Sequence, residues 1–411
     1  MNRPEGLAEA RTPAKLLSID EALALVEAHV QPLPAEEVTL DHAYGRYIAQ
    51  ELRAAIDLPP FAASAMDGYA LRAQDTPGTL TVVGESSAGA PYQGELAAGE
   101  AVAISTGAVV PPQADAVVPI EDVTATEEQI ELAAGLAAGA FVRDRGGDIE
   151  RGDVILDAGT RLGSAQIGAA AAVGLASVLC RRRPTVAVLT TGTELRQPGE
   201  ELAEGQIYDA NGPMMRAALL TSGAGVEHIP AAADTADAHR AALTRALAHD
   251  VVISSGGVSV GPHDLVRSVG QELGVREVFW RIALRPGKPL AFGVRGATLV
   301  FGLPGNPVSS LVCFELFVRP ALLALQGARS VRPAWISGVL GAAVARNPGR
   351  DDLIRVRLET VEDSTVLLPV HGQQSHQIAI TAQADALARI PMGTGEVPAG
   401  TEVACLPLLR F

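Results

Sequence analysis

Three short segments between Val251 and Ser310 carry residue types that bind oxyanions: ISSGGVSVGPHD, LRPGKPLAFG and GLPGNPVSS. Each joins a strand-like apolar run to a turn rich in glycine, serine and proline. Glycines let backbone N–H groups approach an oxyanion closely, and serine hydroxyls and a lysine add further donors. A fold that brings these turns together binds a phosphorylated or otherwise anionic ligand.

The pattern around these segments predicts an α/β domain over residues 181–328. Strand-like runs (TVAVLTTG, VEHIP, VVISSGG) alternate with helices predicted from Asn211 to Ser222 and from Thr235 to His249. This order predicts right-handed βαβ units and a parallel sheet with helices on both faces, where ligands bind beyond the carboxyl ends of the strands. None of the turns matches a Walker P-loop or a GxGxxG fingerprint, which disfavours NTPases and Rossmann dehydrogenases.

The regions on either side of the α/β domain have different secondary-structure patterns in their sequence. A capping box at Ser18–Glu21 predicts an amphipathic helix, and we interpret residues 1–55 and 150–180 as a discontinuous helical domain in which 167–180 is a buried Ala/Gly helix. Residues 56–149 read as an inserted β-domain, with strands TLTVVGE, AVAIS and AVVPIEDV. Residues 329–411 read as a terminal β-domain built from SGVLGAAVA, LIRVRLET, STVLLPV, ALARIPM and EVACLPL.

Composition narrows the class of protein. The chain has 411 residues, 48% of them hydrophobic, as expected for a globular protein of several domains. Its net charge of −15 disfavours nucleic acid and anionic membranes as partners. Cys180, Cys313 and Cys405 lack metal-ligand spacing and are predicted to be buried free thiols. The first residues lack the apolar core of a signal peptide, and no apolar run has membrane-spanning length, so we expect a cytoplasmic protein.

Several side chains have a plain structural interpretation beside a chemical one. Asp67, in a small-residue turn, is compatible with an Asx-turn, and the arginines near Asp148 are compatible with surface ion pairs. Glu194 and Asp264 would repel a phosphate unless a divalent cation lies between them. Lys288, one of two lysines in the chain, is compatible with a solvated hairpin or with a compact point charge directed at an anion.

The motifs together carry a resemblance. SAMDGYA, STGAVVPPQADAVVPIED, VRDRGGDI, TTGTEL, IYDANG, ISSGGVSVGPHD, LRPGKPLAFG and GLPGNPVS occur in the order typical of the molybdopterin molybdenumtransferase family (molybdenum insertase, MoeA). The gephyrin C-terminal region is related to this family. The resemblance implies a helical segment, an inserted β-domain, an α/β molybdopterin-binding domain and a C-terminal β-barrel. It also implies a homodimer whose cleft combines the inserted domain of one subunit with the α/β domain of the other.

The resemblance further implies a reaction that joins molybdate to adenylylated molybdopterin and releases AMP in the presence of Mg²⁺. The residues implied as catalytic are Asp67, Asp148, Asp264 and Lys288. Those implied to contact the pterin-nucleotide are Thr106, Arg143, Glu194, Asp234, Ser254, Ser255, Gly256, Gly257, Pro304 and Pro307. Mg²⁺ is expected on Glu194 and Asp264, and molybdate on Lys288, Pro289, Arg355 and Ser375. Other molybdenum cofactor biosynthesis proteins are expected as partners.

Two alternatives remain at this point. Related α/β domains transfer an adenylyl group onto molybdopterin, and a scaffold would bind molybdopterin or a receptor tail without turnover. The inserted β-domain and the terminal barrel favour the insertase over the adenylyl transfer. The joint presence of Asp67, Asp148, Asp264 and Lys288 disfavours a scaffold, which needs none of them together.

Overall fold

The computed structural model describes residues 16–229, 235–256 and 265–408. The described chain divides into two compact units, Glu36–Cys180 and the remaining residues on either side of it. Three of the predicted site residues, Asp234, Gly257 and Asp264, lie outside the described residues.

The unit Glu36–Cys180 contains a six-stranded sheet whose inner side packs Leu71, Leu80, Val118 and Ile130 into one core. In spatial order its strands are Ala116–Pro119, Gly68–Leu71, Glu100–Ile104, Gly78–Ser86, Gln129–Leu132 and Thr124–Ala125. Short two-stranded pairs join Ala35–Thr39 to Ser177–Arg181, Leu52–Arg53 to Val154–Leu156, and Ala63–Ser64 to Val142–Arg143. Single 3₁₀ turns occupy Leu40–His42, Ala73–Asp75 and Ile120–Asp122. The strands predicted from TLTVVGE, AVAIS and AVVPIEDV are confirmed.

The prediction of one buried helix over residues 167–180 is wrong. The helix spans Ser164–Ala172 and buries only Ala170, whereas Ser177–Arg181 is a strand. Gly174, with φ +84°, takes the left-handed conformation that ends helices. A short apolar run of small residues does not distinguish a helix from a strand by composition, and here the alternation of buried residues in the last five favours the strand.

The α/β part of the other unit contains a mixed six-stranded sheet. In spatial order its strands are Gly225–Ile229, Thr185–Thr190, Val251–Ser255, Thr298–Leu303, Ala291–Arg295 and Arg276–Trp280. The first four are parallel as predicted, but Ala291–Arg295 runs antiparallel to both neighbours. The reason is local: only a two-residue turn at Gly296 joins it to Thr298–Leu303, and such a turn connects antiparallel strands.

Helices cover this sheet. They span Ile19–Glu27, Asn211–Thr221, Ala236–Ala246, Leu265–Glu272, Pro307–Cys313 and Arg319–Leu325, the last two joined by a π-helical turn at Phe314–Val318. The predicted capping box is present, because Ser18 Oγ accepts from the Glu21 N–H (3.1 Å) and Glu21 Oε2 accepts from the Ser18 N–H (2.7 Å).

The continuous helix Pro307–Leu325 is the core helix of this unit. Among the described helices it alone is long and apolar enough by composition to cross a membrane, but 78% of it is buried inside the protein. Its N-cap is Asn306 with Pro307 in the first turn, so Ser309 is a buried first-turn residue and not a cap.

The C-terminal part is a closed five-stranded barrel, since Asp351–Val361 also pairs with Ala386–Ile390. The five predicted runs form its strands: Ile336–Leu340, Asp351–Val361, Ser364–Pro369, Ala386–Ile390 and Glu402–Pro407. Smaller elements are the pair Val344–Ala345 with Glu396–Val397, the pair Leu195–Arg196 with Ile207–Tyr208, and the helix Ile378–Thr381. Leu284–Arg285 pairs with the start of Asp351–Val361, which attaches the LRPGKP turn to the barrel. The three cysteines are free and buried, as predicted.

Asp250 anchors the amino end of the central strand. Its carboxylate accepts from Arg182 (2.8 and 2.9 Å) and from the N–H and Oγ1 of Thr185 (2.7 and 2.8 Å). Burial raises the pKa of Asp250, but these donors outweigh it and lower the pKa below its ordinary value of 3.8. A carboxylate with a depressed folded pKa stabilises the fold above its unfolded pKa and loses this contribution as pH falls through the folded pKa.

We therefore expect Asp250→Asn to lower the free energy of unfolding by about 2 kcal/mol at pH 7. The difference from the unsubstituted protein should shrink as pH falls below 3.8. Urea unfolding at several pH values measures it. Asp363→Asn, on an exposed turn, is the control and should change little at pH 7. An equal, pH-independent effect of both substitutions would contradict the assignment.

Candidate functional site

Three parallel strands end at the same edge of the sheet. Thr190, Ser255 and Leu303 are the last residues of their strands and lie in register with one another. The loops that follow therefore leave the sheet side by side and enclose a cleft of about 530 Å³. The turns singled out by composition converge here.

The lining of this cleft includes several predicted residues. The predicted residues that line it are Glu194, Ser255, Gly256, Pro289 and Pro304. Pro307 is the first residue of the core helix and is not among the residues that line the cleft. Gly256 has φ +90°, and a Cβ there would lie 3.2 Å from Thr191 Oγ1, so glycine allows the two loops to approach closely.

Ser254 and Ser255 point to opposite faces of the sheet, because successive residues of a strand alternate. Ser255 Oγ lies in the cleft and accepts a hydrogen bond from Asn211 Nδ2 (2.7 Å). Ser254 instead lines a separate cavity of about 50 Å³ with Val266 and Phe292, and its hydroxyl has no hydrogen-bond partner in the part of the chain that the structure describes. Ser254 therefore does not face the ligand cleft in this structure.

Sequence reasoning missed two cleft residues of the IYDANG motif, Asp209 and Asn211. Asn211 Nδ2 also donates to the carbonyl of Gly305 (2.7 Å), which ties the start of a helix to the loop after Leu303. Asp209 is 1% exposed, and its Oδ1 accepts from the Gly212 N–H (2.9 Å). Its Oδ2 lies 3.8 Å from His228 Nε2 and has no hydrogen-bond partner among the described residues. The signal available in the sequence was the motif itself, at a turn before a helix on the ligand edge.

A second pocket, of about 330 Å³, lies beside the first and has a basic lining. Its residues are Arg285, Pro286, Gly287, Lys288, Pro289, Pro304, Asn306, Ser309, Arg350, Gln373, Gln374 and Ser375. Pro289, Pro304 and Asn306 line both pockets. Asn306 Nδ2 donates to Ser375 Oγ (2.8 Å), so the wall between the pockets is also bonded to the barrel loop.

Arg355 lies behind that barrel loop. It is 1% exposed, and its guanidinium donates to the carbonyls of Gly372 (2.8 Å) and Gln374 (3.2 Å). The Arg355 N–H donates to Gln373 Oε1 (2.9 Å), and Gln373 Nε2 donates to the Arg355 carbonyl (3.0 Å). Burial lowers the pKa of this guanidinium. In this structure Arg355 holds the loop that carries Ser375, and it is not among the residues that line the basic pocket.

Arg285 forms an ion pair with Asp352, which is 1% exposed. Burial raises the pKa of Asp352, and the positive charges of Arg285 and Arg350 oppose that rise. The charge of Arg285 is thereby largely balanced within the protein.

The unit Glu36–Cys180 brings Asp67 and Thr106 together. Asp67 Oδ1 accepts from the N–H of Thr106 (2.7 Å) and from its Oγ1 (2.9 Å), and these bonds lower the pKa of the exposed Asp67 carboxyl. A Cβ at the next residue, Gly68, would lie 1.9 Å from the carbonyl oxygen of Val118, so this turn requires glycine.

The other two predicted residues of this unit, Arg143 and Asp148, lie on two different segments. Arg143 is paired in register with Ala63, four residues before Asp67. Asp148 is exposed on another turn, where its N–H donates to the carbonyl of Leu58 (2.9 Å). The neighbouring Arg145 forms a surface ion pair with Asp57, as the plain interpretation of the sequence allows.

A sheet-edge cleft lined by carboxylates and amides, next to a basic pocket lined in part by the β-barrel, characterises this multidomain α/β protein. Three family descriptions match successive parts of this chain. They are the MoeA N-terminal region (domain I and II) at residues 17–174, the probable molybdopterin binding domain at 187–324, and the MoeA C-terminal region (domain IV) at 337–408. The chain belongs to the MoeA family of molybdopterin molybdenumtransferases.

Individual relatives agree with this membership. The chain is 35% identical to the molybdopterin molybdenumtransferase of Haemophilus influenzae over 399 residues, which cover 95% of this chain and 98% of the relative. It is 34% identical to molybdopterin molybdenumtransferase 2 of Mycobacterium tuberculosis, with 94% and 98% covered. A crystal structure of the molybdopterin biosynthesis MoeA protein of Pyrococcus horikoshii matches with a TM-score of 0.83 at 34% identity, covering 97% of this chain and 100% of that one.

The Asp67–Thr106 contact makes a testable statement about acidity. Thr106→Val removes the Oγ1 donor and keeps the backbone donor, so we expect the pKa of the Asp67 carboxyl to rise toward 3.8 without reaching it. Carboxyl ¹³C NMR titration measures this pKa. Thr126→Val, whose hydroxyl bonds to Gln129 in the same unit, is the control and should leave the Asp67 titration unchanged. An unshifted Asp67 in Thr106→Val would show that the hydroxyl contact is absent in solution.

Proposed function

We propose that this chain joins molybdate to adenylylated molybdopterin and releases AMP, giving molybdenum-molybdopterin. The observation that carries the proposal is the pair of adjacent pockets with a common wall of Pro289, Pro304 and Asn306. One pocket offers cations and hydroxyls to an oxyanion, and the other offers carboxylates, amides and backbone groups to a larger polar ligand. Family membership supports the same reaction, because the relatives are named for molybdenum transfer.

The basic pocket is the proposed molybdate site. Lys288 and Ser375 supply a cation and a hydroxyl, and Pro289 contributes the rigid wall. Because Ser375 Oγ accepts from Asn306, its own proton is available to an oxyanion. Arg355 contributes by fixing the backbone of residues 372–374. These groups hold the oxyanion in place while the pterin-nucleotide lies in the neighbouring cleft.

The larger cleft is the proposed pterin-nucleotide site. Ser255, Gly256 and the loop at Pro304 provide hydroxyl and backbone contacts, and Glu194 and Asp209 provide carboxylates. No described group of three or more His, Cys, Asp or Glu side chains holds a metal by itself. Mg²⁺ commonly uses only one or two carboxylates together with substrate phosphates, so the donors present fit it, with Glu194 and Asp264 as proposed ligands. When bound, Mg²⁺ would neutralise charge on the diphosphate.

Asp67 is the proposed acidic contributor from the unit Glu36–Cys180. Its carboxylate stays ionised because Thr106 stabilises the charged form, so it is able to order a cation near the ligand. Arg143, Thr106 and Asp148 are proposed to act beside it. We also propose that the chain acts as a homodimer, as the family resemblance implies, and that it acts in the company of other cofactor biosynthesis proteins.

One incubation tests the reaction. Purified protein, adenylylated molybdopterin and Mg²⁺ are mixed with and without molybdate, and AMP is followed by chromatography. We expect AMP only when molybdate is present. In a second mixture that contains ATP and molybdopterin, formation of adenylylated molybdopterin would instead identify an adenylyl transferase. Ligand binding without AMP release in any mixture would identify a scaffold.

Asp67→Asn tests the role of the acidic turn. We expect AMP release to fall at least about a hundredfold, in the range found when one electrostatically stabilising group is removed, while binding of the nucleotide changes little. Asp122→Asn, an exposed aspartate of the same unit, is the matched control and should keep full activity. Unchanged turnover in Asp67→Asn would remove Asp67 from the active site.

A further inference from the structure

The basic pocket contains a cation that neither the motifs nor the family comparison singles out. Arg350 lines the pocket with Lys288 and Ser375, and it is half-buried. It lies at the entry to the barrel strand Asp351–Val361, five residues before Arg355. The segment GRDDLIR, residues 349–355, thus contributes one arginine to the pocket and another that holds the loop behind it.

The pocket's charges follow from its contacts. Three cations line it, Arg285, Lys288 and Arg350. Arg285 is paired with the buried Asp352, so its charge is balanced inside the protein. Within the part of the chain that the structure describes, neither Lys288 nor Arg350 contacts a carboxylate. The pocket therefore presents two cations that form no ion pair, one ammonium and one guanidinium, and Asp352 acts on the Arg350 charge only at longer range.

We propose that Arg350 is a further molybdate-binding residue, which together with Lys288 matches the charge of a tetrahedral dianion. This inference rests on the proposed function, since it names a residue of the same oxyanion site. A guanidinium offers several N–H donors in one plane, whereas an ammonium acts as a point charge, so the two contact different oxygens of one ligand. Ser375, on the barrel loop, supplies a third, uncharged donor.

Charge matching predicts a preference that can be measured. Molybdate and perrhenate are both tetrahedral oxyanions of similar size, but molybdate carries two negative charges and perrhenate one. In a pocket with two cations that form no ion pair, the dianion gains more from electrostatic attraction than the monoanion does. Removing one cation should therefore weaken molybdate binding more than perrhenate binding.

The experiment is isothermal titration of the full chain with sodium molybdate and, separately, with sodium perrhenate at low ionic strength. We expect Arg350→Gln to weaken molybdate binding about tenfold or more, with a smaller loss for perrhenate. Arg350→Lys keeps the charge and should restore most of the preference for molybdate. Arg357→Gln is the matched control, because Arg357 lies on the strand that follows Arg350, is exposed, and among the described residues bonds to Gln383, outside this pocket.

The outcomes separate a binding role from a structural one. Equal binding by Arg350→Gln and Arg357→Gln overturns the proposal, and so does an equal loss of both anions in Arg350→Gln. Thermal melting monitors the fold of each variant, and Arg350→Met, which also removes the charge and keeps an extended side chain, is titrated instead should Arg350→Gln unfold. Absence of molybdate binding to the unsubstituted chain also overturns it. Molybdate binding without AMP release would refute the proposed reaction and leave the role of Arg350 intact.

Discussion

The amide of Asn211 is the contact on which the ligand-binding edge depends. Its two N–H donors are both used, one on Ser255 Oγ and one on the carbonyl of Gly305, each at 2.7 Å. The bond to Ser255 joins the helix Asn211–Thr221 to the central strand, and the bond to Gly305 joins it to the loop before the core helix. An amide nitrogen has two N–H donors, and both are used here. One side chain therefore fixes both partners. The strand end and the Pro304–Asn306 loop therefore keep a constant separation, which sets the width of the cleft.

That loop transmits the constraint to the second pocket. Asn306 is the N-cap residue of the core helix Pro307–Leu325, and this helix packs in the largest apolar cluster. The Nδ2 of Asn306 donates to Ser375 Oγ on the barrel loop. Arg355 holds the same barrel loop from behind, because its guanidinium donates to the loop carbonyls of Gly372 and Gln374. The position of Ser375 is thus determined from two sides by groups that are themselves rigid. Side chains held in this way need little reorganisation when a ligand arrives, which favours both binding and positional catalysis.

Much of this arrangement could be predicted from the sequence, and the limits have physical causes. Capping residues, β-branched runs and glycine turns act locally, so the helix at Ser18, the parallel strands and the five barrel strands could be read from the chain. Residues 177–181 could not, since a short apolar run is compatible with either a strand or a helix until its partner strand is known. Ser254 shows the same limit at the site. Composition places both serines at the strand end, but only the register decides that Ser255 faces the cleft and Ser254 the opposite layer.

The two arginines of GRDDLIR show why a motif alone does not assign a role. A motif preserves residue type and spacing, yet Arg350 lies before the strand begins and Arg355 lies within it, where the barrel encloses it. A guanidinium that is 1% exposed and directed at backbone carbonyls shapes a loop, whereas a half-buried one at the pocket wall is positioned to contact a ligand. Asp352, between them, balances Arg285 and so prevents the pocket from carrying an excess of positive charge. One short segment therefore has three roles, carried by different residues: Arg350 lines the pocket, Arg355 holds the barrel loop, and Asp352 balances the charge of Arg285.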